Sequence, residues 1–410
     1  MSPTEILLEF SQRIPLQLTT ITLSDAGGVT VPLSALEYAD SSRTVLTTRP
    51  PGVLTPGEYR VDWRTVGQDG HVIVGSFVFL VTGARAATPD EVHTGHDMMH
   101  AATPEEEATA ATNPSQSWIA VIARWLNFVA LVSMIGAVCA RMFVLPRTLI
   151  DAATAVRIRR DVWRYARLAG GLAIFALFAR LFSQSAAIHG VGEAFSLERI
   201  SIMLAITPWG HAWAIQAAAT GIFLGGLVIA ARSHIGWAVA FAAAVILAFV
   251  PAMSGHAAAV GENVLVIVFV DALHVFGASL WVGSLAVLLL AAFNARAQLS
   301  AAHVRAIVTA FSPTALTGAA IVVVSGVISA LEHISHFGQL TSTGYGRALL
   351  LKLSLVLVIA ALGFFNWRIA TPRLHSDAGA AQLRRAATME TVAGAAVLLV
   401  TAVLVALSPP

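Results

Sequence analysis

The apolar positions of this chain fall into two regimes with different periods. Up to about residue 83 they come in short runs: Ile6 to Phe10 reads ILLEF, Thr19 to Leu23 and Gly57 to Trp63 alternate, and Gly75 to Val81 reads GSFVFLV. Turn residues bound each run, as at Asp25-Ala26-Gly27-Gly28, Pro50-Pro51-Gly52 and Thr55-Pro56-Gly57. Short strands between such turns predict a small β-sandwich of immunoglobulin-like type. From Trp118 onward the pattern changes to eight long apolar stretches, centred roughly on 118–145, 165–187, 210–231, 235–253, 264–293, 305–331, 346–369 and 387–407. Each approaches the ~20 apolar residues that a helix needs to cross a bilayer, so residues 118–410 predict a mainly α, polytopic membrane bundle. Residues 84–117, dominated by Ala, Thr, Pro and Glu with no apolar period, read as a linker.

Composition agrees with the pattern. Of 410 residues 57% are hydrophobic and 12% charged, and mean hydropathy is +0.75, far from the ~25% charged fraction of soluble domains. The net charge of +2 points to no nucleic acid, because the arginines lie between apolar runs and Lys352 is the one lysine. Cys139, the single cysteine, lies inside an apolar run and offers neither an intrachain disulfide nor a thiolate cluster. Histidine and methionine are left as the metal-binding side chains.

Arginine sets the expected orientation. Arg147, Arg157, Arg159, Arg160, Arg164 and Arg167 separate the first two stretches, Arg232 the third and fourth, Arg296 and Arg305 the fifth and sixth, and Arg368, Arg373, Arg384 and Arg385 the last two. The alternate connections carry Glu193, Glu198, Glu262 and Glu332, with Arg199 and Arg347 as counter-examples. The positive-inside rule makes the arginine-rich loops cytoplasmic. The sandwich, the linker and the C-terminus are then expected on the outer side of an inner membrane, together with His189, His256, His333 and His336. A domain of this size ahead of the first span needs a signal peptide to cross, and none precedes it, so the start is read as truncated.

Three places carry candidate chemistry. Asp271 and His274 lie one turn apart inside the fifth stretch, on one helix face. At ~1.5 Å per residue from Val264, His274 is about 15 Å deep, near the membrane midplane, where ionisable groups face a bundle interior or a polar path. Met253 and His256 sit at the outer end of the fourth stretch, in Met253-Ser254-Gly255-His256. In the linker, His93, His96, Met98, Met99 and His100 crowd eight residues, imidazoles suited to Cu(II) and thioethers to Cu(I). Plainer readings stand beside these: His274 as an interhelical hydrogen-bond donor with Asp271 as its buried partner, His256 as a solvated turn residue, and the linker as a soluble tether. Lys352 and Glu390 read as an intramembrane pair, or as separate snorkelling groups, rather than as ligands, and Arg180 needs a counter-charge that the sequence does not identify.

Two resemblances bear on these residues. Leu54-Thr55-Pro56-Gly57-Glu58-Tyr59-Arg60-Val61-Asp62-Trp63-Arg64, then Asp69-Gly70-His71 and Gly75-Ser76-Phe77-Val78-Phe79, resembles the copper resistance protein C family of periplasmic copper-binding sandwiches. The resemblance implies that Asp69 and His71 share Cu(II) with a histidine at the mature N-terminus; the sequence starts Met1-Ser2-Pro3, so either the start, with that histidine and the first strand, is truncated or the site has decayed. Met253-Ser254-Gly255-His256, Asp271-x-x-His274 with Trp281-Val282-Gly283, Thr343 to Lys352, and Arg384-Arg385 before Glu390 resemble the copper resistance protein D family over roughly residues 118 to 410. That implies copper movement across the inner membrane toward the cytoplasm. His256 would receive the ion, His274 would pass it on at depth, and Asp271 would either lower the cost of a cation or orient the ring. Copper ions, membrane lipids and a periplasmic copper chaperone are the expected partners.

Two other functional classes compete. A b-type cytochrome needs a second histidine facing His274 at similar depth. A copper sensor or store would use the spans only as an anchor, which needs no ionisable group at depth. No Gly-x-Ser-x-Gly elbow, phosphate loop or His-Glu-x-x-His element is present, so the chain is read as a non-enzyme without ATP coupling.

Overall fold

A computed structural model describes residues 2–67, 70, 72–82, 117–253, 264–295, 299–333, 336, 338–366, 368 and 377–407. The chain forms two compact units, Met1–Ser117 with Gln184–Met203, and Trp118–Ser183 with Leu204–Pro410.

In the first unit, β1 (Ile6–Glu9), β4 (Glu37–Tyr38) and β5 (Val45–Thr48) form a sheet in the order β1-β5-β4. A second sheet runs β3-β2-β6-β7, from β2 (Thr20–Asp25), β3 (Thr30–Val31), β6 (Gly57–Val66) and β7 (Val72–Val81). All pairs are antiparallel, and β6 and β7 stay in register from Gly57 opposite Val81 to Val66 opposite Val72. The alternation seen in the sequence becomes one buried face, with Ile6, Leu23, Leu54, Tyr59, Val61 and Val81 forming the core.

Asp40 anchors the loop before β5. Its carboxylate accepts the Val45 N–H at 2.9 Å, the Thr44 N–H at 3.0 Å and the Thr44 hydroxyl at 2.8 Å, and the Ser42 hydroxyl also donates to it. Ser42 first, then Val45 and Thr44, hold the carboxyl far below the usual carboxylate range. A depressed folded-state value means that the stabilisation is present above the ~3.9 of an unfolded aspartate and is lost progressively as the pH falls below it. Calorimetry of the sandwich transition should therefore show acid destabilisation that Asp40→Asn removes; an unaltered acid limb in that variant would refute the assignment.

Among the described residues eight helical segments are long and apolar enough to cross a membrane: Trp118–Arg147, Ala152–His189, Pro208–Ala230, Ile235–Met253, Val264–Asn294, Ala301–Leu331, Gly344–Phe365 and Ala381–Leu404. We label the helices α1 (Trp118–Cys139), α2 (Ala152–His189), α3 (Leu197–Ile206), α4 (Pro208–Ala230), α5 (Ile235–Met253), α6 (Val264–Ala278), α7 (Ser284–Asn294), α8 (Ala301–His333), α9 (Gln339–Ser342), α10 (Gly344–Phe365) and α11 (Asp377–Leu404). Caps mark several starts. Thr207 accepts the Gly210 N–H at 2.9 Å ahead of Pro208, and Thr343 accepts the Gly346 N–H at 3.0 Å.

Small residues fill the bundle interior, among them Ala137, Ala166, Ala219 and Ala240, around Met134 and Phe223. Outward the surface is apolar: Leu265 is 85%, Leu357 70% and Val228 67% exposed. Such surface is stable against hydrocarbon and not against water, so the chain is a multi-pass membrane protein.

Two expectations change in detail. The second span begins before its apolar stretch, because the arginine-rich segment continues the helix back to Ala152, capped by Asp151, which accepts the Thr154 N–H at 3.0 Å. That hydrogen bond is the main cause of the lowered Asp151 pKa, with His303 at 3.0 Å adding to it. The fifth span is two helices, α6 and α7, joined by a π-helical turn at Ser279–Gly283. There α1 crosses so closely that a Cβ on Gly136 would stand 2.3 Å from the carbonyl carbon of Gly283.

A polar cavity around His274

α6 and α8 pack through Gly277 and Gly318: a Cβ on Gly318 would stand 2.7 Å from the Gly277 carbonyl. This close approach sets His274 against Ser325 and Gly326. Ser325 Oγ lies 2.6 Å from the Ile321 carbonyl and 3.1 Å from His274 Nδ1. A serine hydroxyl has one hydrogen, and the shorter bond to a pure acceptor takes it, so toward the imidazole Ser325 accepts. Nδ1 therefore carries a proton toward Ser325; in the neutral ring this tautomer leaves the lone pair on Nε2, the atom through which such an imidazole binds a metal ion.

The ring lines a cavity of about 280 Å³ inside the bundle, with Asp271, Ser329, Tyr345 and Lys352 among its walls. Asp271 Oδ1 accepts the Ser329 hydroxyl at 2.8 Å. Asp271 is close enough to act electrostatically on both Lys352 and Tyr345, and Lys352 on His274. The cavity thus gathers an imidazole, a carboxylate and an amine in otherwise apolar walls.

This corrects part of the sequence reading. Asp271 and His274 do share a cavity, yet Asp271 does not orient the ring, because Ser325 has that place. Lys352 and Glu390 are not a pair: Lys352 faces the His274 cavity, whereas Glu390 accepts Trp281 Nε1 at 3.0 Å and Asn366 Nδ2 at 3.1 Å beside a separate cavity of about 350 Å³. Neither snorkels, since Glu390 is 3% exposed and Lys352 points inward. Arg180 finds no carboxylate among the described residues; Nη1 donates to Gln216 Oε1 at 3.0 Å, Gln216 in turn donates to Asn127 at 2.5 Å, and the guanidinium lies 5.5 Å from the Trp209 ring centre.

Met253 ends α5, whose neighbouring residues Pro251 and Ala252 line the His274 cavity. His256, Asp69, His71, His93, His96, Met98, Met99 and His100 lie outside the described residues. Among the described residues no three His, Cys, Asp or Glu side chains gather as a ready-made metal site. The sequence reading missed Ser325, Ser329 and Tyr345. Ser325 and Ser329 recur at i and i+4 on α8, a spacing that places both on one face, but nothing in the sequence says which helix that face meets.

Eight apolar helices among the described residues, with a half-buried imidazole, carboxylate and amine lining one cavity between them, define a polytopic membrane protein. Comparison with known proteins supplies the family. Residues 305–404 match Copper resistance protein D, residues 114–265 match the Copper resistance protein D-like N-terminal domain, and residues 1–82 match the CopC domain. The chain belongs to the copper resistance protein D family, fused to a copper resistance protein C-like domain. It is 26% identical over 415 residues to Copper transport protein CutJ of Bacillus subtilis (strain 168), spanning 100% of this chain and 72% of that protein. It is 33% identical over 88 residues to Copper resistance protein C of Escherichia coli, spanning 20% of this chain and 68% of that protein. CopC from Methylosinus trichosporium OB3b, a solved structure, shares 25% identity, covers 21% of this chain and 83% of its own, and has a TM-score of 0.19.

Proposed function

We propose that the protein carries copper ions across the bacterial inner membrane toward the cytoplasm, as a carrier and not an enzyme, with the sandwich and linker capturing copper on the outer side. The observation that supports this most is the imidazole of His274, hydrogen-bonded to Ser325 and lining a cavity between the helices with Asp271 and Lys352. Copper in either oxidation state takes imidazole, and Asp271 lowers the cost of bringing a cation into this apolar setting. Lys352 works the other way. Its positive charge beside the ring weakens retention, which suits a station that must release its ion. The arginine-rich loops support the orientation, and the name of the Bacillus relative supports transport.

Purified protein in liposomes should move copper from the side bearing the sandwich to the other. Ser325→Ala should raise the half-saturating copper concentration by about 10–100-fold, since loss of a ligand's hydrogen-bond partner typically costs that much metal affinity. Flux in the opposite direction overturns uptake, and equal saturation in the variant overturns the part given to Ser325.

A further inference from the structure

At the bundle end that carries the arginine-rich connections, a hollow of about 420 Å³ opens between the ends of α1, α2, α4 and α5. Four guanidiniums line it, those of Arg141, Arg159, Arg160 and Arg232, with His234 beside them and no carboxylate. The aspartates nearest in sequence are engaged elsewhere: Asp161 pairs with Arg164 at 3.4 Å and Asp151 with His303 at 3.0 Å. Among the described residues none of the four arginines has an ion-pair partner. Arg141 and Arg159 act directly on each other as like charges.

The walls of this hollow are fixed. Trp163 Nε1 donates to the Leu227 carbonyl at 2.8 Å, tying α2 to the last turn of α4, and Arg167 covers the Trp163 ring at 4.6 Å. Arg141 lies 5.5 Å from the Trp237 ring centre. The α4–α5 turn that presents Arg232 and His234 is tight, because a Cβ on Gly236 would stand 2.1 Å from the Ala230 nitrogen. Four cations are therefore held together by packing, against their own repulsion, with no ion-pair partner among the described residues to neutralise them.

We infer that this hollow binds the phosphodiester headgroup of an anionic phospholipid, foremost one with two phosphates, a diphosphatidylglycerol. Guanidiniums match phosphate oxygens in paired hydrogen bonds, and basic pockets between membrane helices hold such headgroups. The depth fits, since Trp163 and Trp237 mark the interfacial belt where headgroups lie. Inorganic phosphate shares the chemistry but has no acyl chains. Val228 and Ile229, both exposed in the turn before the hollow, offer those chains an apolar surface.

The test uses the full-length protein, delipidated in a phosphatidylcholine-containing detergent micelle and titrated with diphosphatidylglycerol under native mass spectrometry. Saturable retention of that lipid over phosphatidylcholine is expected, weakened by salt. The triple variant R141Q/R159Q/R232Q should bind at least about tenfold more weakly, whereas Arg305→Gln on α8 should not change it. Because a triple variant can fold poorly, the wild-type titration also decides: no preference over phosphatidylcholine, or displacement of the lipid by millimolar inorganic phosphate, overturns the assignment, as does full retention in the variant.

Discussion

His274→Ala should reduce copper accumulation in expressing cells to the level of cells without the protein, while the protein still inserts and is recovered in the membrane. Among the lining residues the imidazole is the side chain best suited to copper, the other polar walls being a carboxylate, hydroxyls and the Lys352 amine. The loss should therefore exceed the ~10–100-fold expected when only a ligand's hydrogen-bond partner is removed. Insertion should survive for a separate reason. The ring already borders a cavity, so truncation collapses little packing, and Ser325 keeps its bond to the Ile321 carbonyl. Cellular copper measured by mass spectrometry against protein in the membrane fraction checks both halves. Normal accumulation would falsify the central role of His274.

The largest structural effect is expected at Gly283. A Cβ there would stand 2.2 Å from the Val132 carbonyl oxygen of α1, and neither backbone can rotate out of the way as a side chain would. Gly283→Ala should cost about 1–3 kcal/mol or more through forced separation of the two segments. Because α6 and α7 join at this turn, the separation also widens the bundle near the His274 cavity. Gly171→Ala on α2, where a Cβ meets nothing within 4 Å, makes the same chemical change in open space and should be nearly silent. Thermal unfolding of the solubilised protein compares the two. Equal melting temperatures would show that the α1 contact tolerates a methyl group.

The difference between these glycines shows where sequence reading reaches its limit. Both sit in apolar helices and look alike along the chain; only the neighbouring backbone distinguishes them. The spans themselves were legible, since a bilayer imposes a length that eight apolar stretches meet. The π-helical turn at Ser279–Gly283 was not, because no local breaker such as proline marks it; it lies where α1 packs against Gly283. Similarly, the i, i+3 spacing placed Asp271 and His274 on one face, but the partner of the ring came from α8, 51 residues away.

Arg180 and Lys352 make the same point for charge. Their presence at depth was plain from the sequence, which asked for a counter-charge beside Arg180 and set Lys352 with Glu390 or at the membrane surface. What compensates them was not: a glutamine, an asparagine and an indole face for Arg180, and the neighbourhood of Asp271 for Lys352.

By itself, then, the order of residues determined a small β-domain ahead of eight apolar spans, the family and the helix that carries His274. Each of these follows from local period, length or motif, quantities that a single segment holds. Only the tertiary structure decided that Ser325 fixes the tautomer of His274, that Lys352 and Glu390 stand in different cavities, and that four arginines from three separate segments converge on one hollow. Those are relations between segments distant in sequence, set by which small residues let which backbones approach, and no local pattern records them.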